Sequence, residues 1–321
     1  RVSVFERRSD LRKETITAGK SINLALSKRG ITALKSVGVD KEVMKIAIPM
    51  YKRVMHDKNG ILTDQPYGNE GQAIFSISRA RLNVLMMRLA EQKGAVLNFN
   101  EKCIDANFTK SKVVFENTKT KQRRTVSSDI IVGGDGAFSS IRKQMVDSYG
   151  HKFSYNKIDH LYKELHIPAG KDGAFLLDKN ALHIWPRGEF MLIALANLDG
   201  SFTCTLFAPK TGNNSFENLE EKLAVEHYFR ENFSDFFDLV PDLYDQWNTN
   251  PTSELGIIKT YPWHVNGKAV LIGDAAHATV PFYGQGMNAS LEDCRILDDL
   301  LNKYNDDFKS CFSSYSKSRK P

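Results

Sequence analysis

Cysteine is sparse in this sequence and never clustered. Cys103, Cys204, Cys294 and Cys311 form no CxxC pair, which argues for a reducing compartment and against a zinc site. Long apolar runs are missing too: "MLIALANL" is the longest patch, short of the roughly 18 residues that span a bilayer, and it reads as a buried strand. No GxSxG, HExxH, complete GxGxxG or GxxxxGK[ST] occurs, so serine-hydrolase, zinc-protease and nucleoside-triphosphatase chemistry find no support. Charge is not concentrated either. The net +6 is spread along the chain, and "KTKQRR" at 119–124 reads as a solvated hairpin tip rather than a nucleic-acid-binding patch. There is no initiating methionine and no signal segment, and both ends, Arg1 and "SKSRKP", read as cut.

What is present is a 321-residue chain, 41% hydrophobic, large enough for a sizeable core and two interleaved domains. "RVSVFE" alternates and ends on an acid, as a strand does at the carboxyl edge of a parallel sheet. "RGITALKSVGV" sets Ile31, Leu34 and Val37 three apart with Gly38 closing a helix, and "RARLNVLMMRLAEQKG" sets Leu82, Leu85, Met86 and Leu89 on one face before Gly94. The strand "AVLNFN" follows at once. "KVVFENTKTKQRRTV" predicts a hairpin, and "DIIVGGDGAFSSIR" a buried strand running into a helix.

From about residue 160 short strands separated by turn residues predict an antiparallel sheet, followed by an amphipathic helix over 216–247. "KAVLIGDAAH" returns to a buried strand. "SLEDCRILDDLLNKY" places Cys294, Leu297, Leu301 and Tyr304 on one helical face. The fold class expected is α/β: a Rossmann-like domain with a parallel sheet, over 1–50, 76–155 and 263–321, interrupted by a domain with a mostly antiparallel sheet over 51–75 and 156–262.

Ligands of open α/β sheets lie at the carboxyl ends of the strands, and three acids fall there. Glu6 ends the first strand; it is either a surface glutamate or a ribose-binding acid. Asp135 sits in "VGGDG", which is either an ordinary turn or a ligand loop. Asp274 in "GDAAH" ends a buried strand, where an unpaired carboxylate costs several kcal/mol, so it is expected to accept hydrogen bonds from ribityl or ribose hydroxyls. In "PFYGQGMN", Gly284 and Gly286 allow the backbone to approach a flat ligand, and the amides of Met287 and Asn288 open a helix whose positive end favours an anionic flavin edge. His277, packed among small residues, is expected to be structural rather than catalytic.

An acid-ended strand, a DG motif and a GD motif in this order, around an antiparallel insert, resemble the single-component FAD-dependent aromatic hydroxylases. The blocks "SINLALSKRG", "IPM", "YG" followed by "SISR", "LHIWPRGEFMLIALAN", "SFTCTLF" and "GDAAHATVPFYGQGMNASLEDC" are similar, over nearly the whole chain, to the kynurenine-hydroxylating members of that family. The resemblance implies FAD contacts at Glu6, Ala25, Arg79, the Cys103 backbone, Asp135, Asp274, Met287 and Asn288, beside the Gly286 turn. It implies a substrate carboxylate at Arg53 and Tyr67. The aromatic half of the substrate would then meet Leu182, Met191, Ile193, Leu195 and Phe207, with Pro281 and Phe282 between it and the flavin. Met191, Ile193 and Leu195 also stand at period two, on one face of a strand, where plain core packing is the competing reading.

The resemblance further implies NADPH-dependent hydroxylation of L-kynurenine by molecular oxygen, with FAD carrying the chemistry, no metal and no catalytic side chain. The family's Gly-rich phosphate loop would precede Glu6 and its carboxyl-terminal region would follow Pro321, so a fragment with weakened FAD binding is expected. A cytoplasmic location is expected, or the mitochondrial outer membrane in a eukaryote. Hydroxylation of another aromatic acid and a catalytically inactive nucleotide-binding fragment are the alternatives.

Overall fold

Two pairs of parallel strands carry the acids singled out above. In the computed structural model, which describes residues 1–13 and 23–320, strand Ser3–Glu6 lies beside Val96–Phe99, and Ile131–Gly133 lies beside Ala269–Leu271. Parallel neighbours cannot be joined by a tight turn, so a crossover must intervene. Helix Arg79–Gln92 leads into the second strand and is opened by Ser78, whose hydroxyl accepts the Arg81 amide. The basic run forms the tip of an antiparallel hairpin between Lys112–Asn117 and Arg123–Ser127.

Helix Lys28–Ser36 packs on the nineteen-residue helix Gly286–Tyr304. A Cβ on Gly30 would fall 2.6 Å from Asn288 Oδ1, so glycine is what permits this approach. Two details differ from the helical spacing. Val37 lies beyond the end of its helix and is exposed. On Gly286–Tyr304 the buried stripe runs through Asp293, Ile296, Leu297, Leu300, Leu301 and Tyr304, leaving Cys294 exposed, because the inner face is centred slightly to the Asp293 side of the expected one.

The second unit is a seven-stranded sheet. Its strands run, in spatial order, Thr252–Tyr261, Lys152–Ile167, Phe202–Pro209, Phe190–Ala196, Ala181–Arg187, Lys52–His56 and Leu62–Pro66. All neighbours are antiparallel except Ala181–Arg187 and Lys52–His56, which run parallel. One face buries Trp185, Leu192, Phe202, Cys204 and Leu206 against helices. Those helices correct the single amphipathic helix expected over 216–247: the chain forms Phe216–Asn218, Lys222–Asn232, Ser234–Phe237 and Leu243–Thr249. Phe233, at φ −144°, breaks the helix so that Phe229, Phe233 and Phe236 all reach the core, and Pro241 bars a continuous helix further on.

A polar seam joins this sheet to the three-stranded sheet of Asn23–Leu26, Ile74–Ser78 and Ala47–Met50. Asn23 Nδ2 donates to Ala196 O at 3.2 Å and to Asn197 Oδ1 at 2.8 Å, and Ser76 Oγ donates to Ala196 O at 2.8 Å. The seam ties the end of strand Phe190–Ala196 to the paired strands that carry Ala25 and lead into Arg79. No helix among the described residues is long and apolar enough to cross a membrane.

The aromatic cluster generates a stability test. Phe229 is fully buried against Phe233, Phe236 and Trp247, so Phe229→Ala should cost about 3–5 kcal/mol by denaturant titration. Leu223→Ala, at a residue 79% exposed, should stay within about 0.5 kcal/mol. A Phe229→Ala cost no larger than that of Leu223→Ala would show that these helices are not part of the cooperative core.

Candidate active site

Two neighbouring parallel strands end in aspartates that meet opposite fates. The Ile272 amide donates to Gly133 O at 3.0 Å, extending the pairing of Ile131–Gly133 with Ala269–Leu271 to the point where the chains diverge. Asp135 then folds back as a helix cap: its carboxylate accepts the Ser140 amide at 2.7 Å, the Ile141 amide at 3.2 Å and the Ser139 hydroxyl. The side chain of Asp274 accepts no hydrogen bond from any described residue. Burial of its surroundings raises its pKa above the ordinary carboxyl value; His277 and Arg79 oppose the rise and Asp293 adds to it. The residue is nonetheless open to solvent, a combination that describes a carboxylate standing in a recess. Arg79, exposed at the start of helix Arg79–Gln92, makes no side-chain hydrogen bond or ion pair with any described residue and lies within electrostatic reach of Asp274.

The turn that presents Asp274 is held from behind by Asp293. Completely buried, Asp293 accepts the Gly273 amide at 3.0 Å, His277 Nε2 at 2.6 Å and Arg319 Nε at 2.7 Å. Burial alone would raise its pKa, but the bonds from His277 and Arg319 outweigh it and hold the group below the usual range. His277 is thereby a structural donor, stacked on Trp263 at 4.9 Å. Arg142 ties the two aspartate turns together, donating to Ala275 O at 2.9 Å and to Ala137 O. Neither Asp293 nor Arg142 stands out in the sequence: one reads as a surface acid of a helix, the other as a surface base, and only their burial reveals them.

Helix Gly286–Tyr304 begins beside this turn, its entry shaped by Gly284 at φ +61°. The first amides of a helix have no partner within it, which leaves those of Gly286, Met287 and Asn288 as donors. A Cβ on Gly286 would meet no atom outside its own helix within 4 Å, so the backbone there faces open space. The Asn288 side chain is fully employed: Oδ1 accepts the Ser27 amide at 2.9 Å and Nδ2 donates to Ala25 O at 2.8 Å. Ala25 is therefore fastened to this helix through its own carbonyl, and Met287 packs partly buried in the adjoining apolar cluster.

Cys103 lies within electrostatic reach of Asp135, and Glu6 closes the strand paired with Val96–Phe99. Glu6 accepts the Arg8 amide and Arg8 Nε, both at 2.9 Å; burial raises its pKa, but the bonds and charge of Arg8 prevail and hold it low. Cys103 stands at a register shift in strand Glu101–Asn107, and its thiol is pushed up to about 12 by burial, with the Asp135 charge adding. It is an un-ionised thiol beside the Asp135 turn.

The opposite face of the seven-stranded sheet, turned away from the aromatic core, forms an apolar floor. Cross-strand pairs Arg53↔Leu182, Ile193↔Thr205, Leu195↔Thr203 and Met191↔Phe207 place the expected substrate residues on this face. Thr203 and Thr205, both buried, add hydroxyls that sequence reading missed. The turn Pro281–Tyr283 bends over the Phe207 end, where Phe282 meets Phe207 edge-to-face at 5.3 Å. At the other end the Arg53 guanidinium lies 4.8 Å from the centre of the Tyr67 ring, and no carboxylate of the described residues pairs with it. Burial raises the Tyr67 pKa, against the influence of Arg53, so the phenol keeps its proton as a donor.

This free carboxylate, free guanidinium and set of helix-start amides fit a flat, polyhydroxylated anion such as FAD. Since the folded pKa of Asp274 is raised above its unfolded value, its charge opposes folding once pH climbs through that raised value. Asp274→Ala should therefore leave the flavin-free protein at least as stable at neutral pH, by thermal melting. A lost bond to a charged acceptor, about 1.5–3 kcal/mol, should weaken FAD binding by about tenfold or more. Unchanged flavin affinity, or a destabilised flavin-free fold, would make Asp274 a structural turn residue.

Comparison with known proteins gives the same picture. The family model described as FAD binding domain matches residues 10–321. A kynurenine 3-monooxygenase from Flavobacterium psychrophilum is 49% identical over 320 residues, covering 100% of this chain and 71% of that protein, and one from Dictyostelium discoideum is 40% identical over 333 residues, covering 99% and 71%. Among solved structures, the fold matches a tetrameric 2-methyl-3-hydroxypyridine-5-carboxylic acid oxygenase with TM-score 0.77 and 18% identity over 98% of this chain and 79% of that one. Klebsiella pneumoniae HpxO, complexed with FAD and uric acid, matches with TM-score 0.75 and 16% identity over 98% and 77%. With identities of this size along the entire chain, the protein belongs to the kynurenine 3-monooxygenase family of FAD-dependent aromatic hydroxylases.

Proposed function

We propose that this protein hydroxylates L-kynurenine to 3-hydroxykynurenine, consuming NADPH and molecular oxygen with FAD as cofactor. The observation that carries the reading is an apolar sheet face that ends in Arg53, beside Tyr67 and paired with no carboxylate of the described residues, and is roofed, at its far end, by the turn next to the Asp274 recess. Segments 51–75 and 156–262 then furnish the substrate side, and 1–50, 76–155 and 263–321 the cofactor side. Four free thiols suit a reducing compartment.

Asp274, Arg79 and the amides of Gly286, Met287 and Asn288 would hold FAD, with Glu6, Ala25, Cys103 and Asp135 lining the rest of its site. FAD, once bound, supplies electron transfer from NADPH and oxygen activation. The chain's own work is placement. Arg53 takes the substrate carboxylate in a planar two-point grip, and the Tyr67 phenol donates one further bond. Leu182, Met191, Ile193, Leu195 and Phe207 receive the aromatic half, while Pro281 and Phe282 stand between it and the flavin and exclude water. No side chain has to act as nucleophile.

Removing one partner of a desolvated charge pair costs about 2–5 kcal/mol. Arg53→Ala should raise the kynurenine concentration for half-maximal NADPH oxidation at least about tenfold with flavin content unchanged, and Arg53→Lys should already be damaging because an ammonium lacks the planar fork. Tyr67→Phe should act in the same direction by less, since it deletes one hydrogen bond. An unaltered kynurenine dependence in Arg53→Ala, or a preference for a hydroxybenzoate over kynurenine in the unmodified protein, would defeat the assignment.

A further inference from the structure

The core-facing side of the same sheet carries a polar chain inside its aromatic core. His56 and His183 are both buried. His56 Nδ1 is 2.6 Å from Asp235 Oδ2, His56 Nε2 is 2.9 Å from His183 Nδ1, and His183 Nε2 is 2.9 Å from the Asp178 carbonyl oxygen. Trp185 Nε1 donates to both Asp235 oxygens, at 2.8 and 3.0 Å.

The protons of this chain follow from its end point. A carbonyl oxygen only accepts, so His183 carries hydrogen on Nε2. Burial, with His56 adding, drives the His183 pKa down to about 4, so the ring is neutral and its Nδ1 accepts. His56 must then donate through Nε2. Its other nitrogen faces Asp235, which burial would raise but which the bonds from His56 and Trp185 hold below the ordinary range. An ionised carboxylate has no proton to give, so His56 donates through Nδ1 as well.

We infer that His56 is an imidazolium bridging Asp235 and His183, and that this bridge is the positioning device for Arg53. The inference rests on the assignment of Arg53 to the substrate carboxylate. Arg53 stands three residues before His56 on the same strand and on the opposite face. Strand Lys52–His56 pairs with Ala181–Arg187 over only four residue pairs, and polar anchors hold both of its ends. Lys52 Nζ bonds Asp64 at 2.7 Å and Asp178 at 3.3 Å. Arg187 donates to the carbonyls of His56 at 2.8 Å and Asp57 at 3.0 Å. Because Asp178 also accepts from His183, the contacts Lys52, Asp178, His183 and His56 close a circuit that begins and ends on the strand bearing Arg53. A buried ion pair of this kind is a poor source of stability compared with apolar packing. Its contribution is to fix where the strand lies.

The test uses the flavin-loaded protein and calorimetric titration with L-kynurenine and with its decarboxylated analogue. The unmodified protein should prefer kynurenine, and Arg53→Ala should erase the preference. His56→Gln and Asp235→Asn should each cut that preference at least about fivefold while binding the decarboxylated analogue within about twofold of the unmodified protein. Equal losses for both ligands in the two variants would mean a general structural role and overturn the inference, as would a preserved preference. A preference untouched by Arg53→Ala would instead defeat the Arg53 assignment, and the inference with it. A readout that needs no variant is the nitrogen-15 spectrum of the histidine rings in the unmodified protein. Two protonated nitrogens on His56 are expected, and a lone-pair nitrogen on that ring would overturn the inference even if neither variant folds.

Discussion

A carboxylate removed from water has to be matched by donors on every side it presents, and Asp293 is the place where that demand shapes this protein. Two of its three donors, the Gly273 amide and the His277 ring, belong to the turn that follows a parallel strand, and the third is Arg319 at the end of helix Phe308–Arg319. Meeting the demand fixes the backbone of the Gly273–Ala275 turn, and with it the direction in which Asp274 points. The cost of desolvating one acid is thus converted into the placement of another.

The contrast between the two acids distinguishes scaffold from site. Asp293 and Asp135 have their hydrogen bonds supplied by the protein, whereas Asp274, Arg79 and Arg53 keep polar capacity that no described residue takes up. Local rules of folding would pair such groups. Where they stay unpaired beside an open surface, the function proposed above gives the missing partner to a ligand.

Much of this could be read along the chain because the signals are local. Alternation showed that Met191, Ile193 and Leu195 share a face, and an apolar run ending in Gly-Asp marked the Asp274 turn. The two Gly-Asp turns looked alike in sequence, although Ser139 and Ser140 shortly after Asp135 were a capping signal. The helix over 216–247 was misread as continuous because Phe233 breaks it for the sake of packing, which periodicity cannot register. Arg142 and His56 were invisible for a simpler reason. Their partners lie 133 and 179 residues away, and nothing in their own neighbourhoods announces them.

The seam of Asn23 and Ser76 against Ala196 and Asn197 has a mechanical consequence. A joint of several short hydrogen bonds, each worth about 1 kcal/mol, cannot act as a hinge without breaking them together. The two sheets are therefore tied to each other along that edge. The Pro281–Tyr283 turn is held over the sheet more lightly, by the ring of Phe282, and Tyr283 is 85% exposed. The roof is thus tied to the sheet through ring packing, Phe282 against Phe207 and His160, where the seam is tied through hydrogen bonds, so a substitution at one edge forfeits apolar contact and at the other polar pairing.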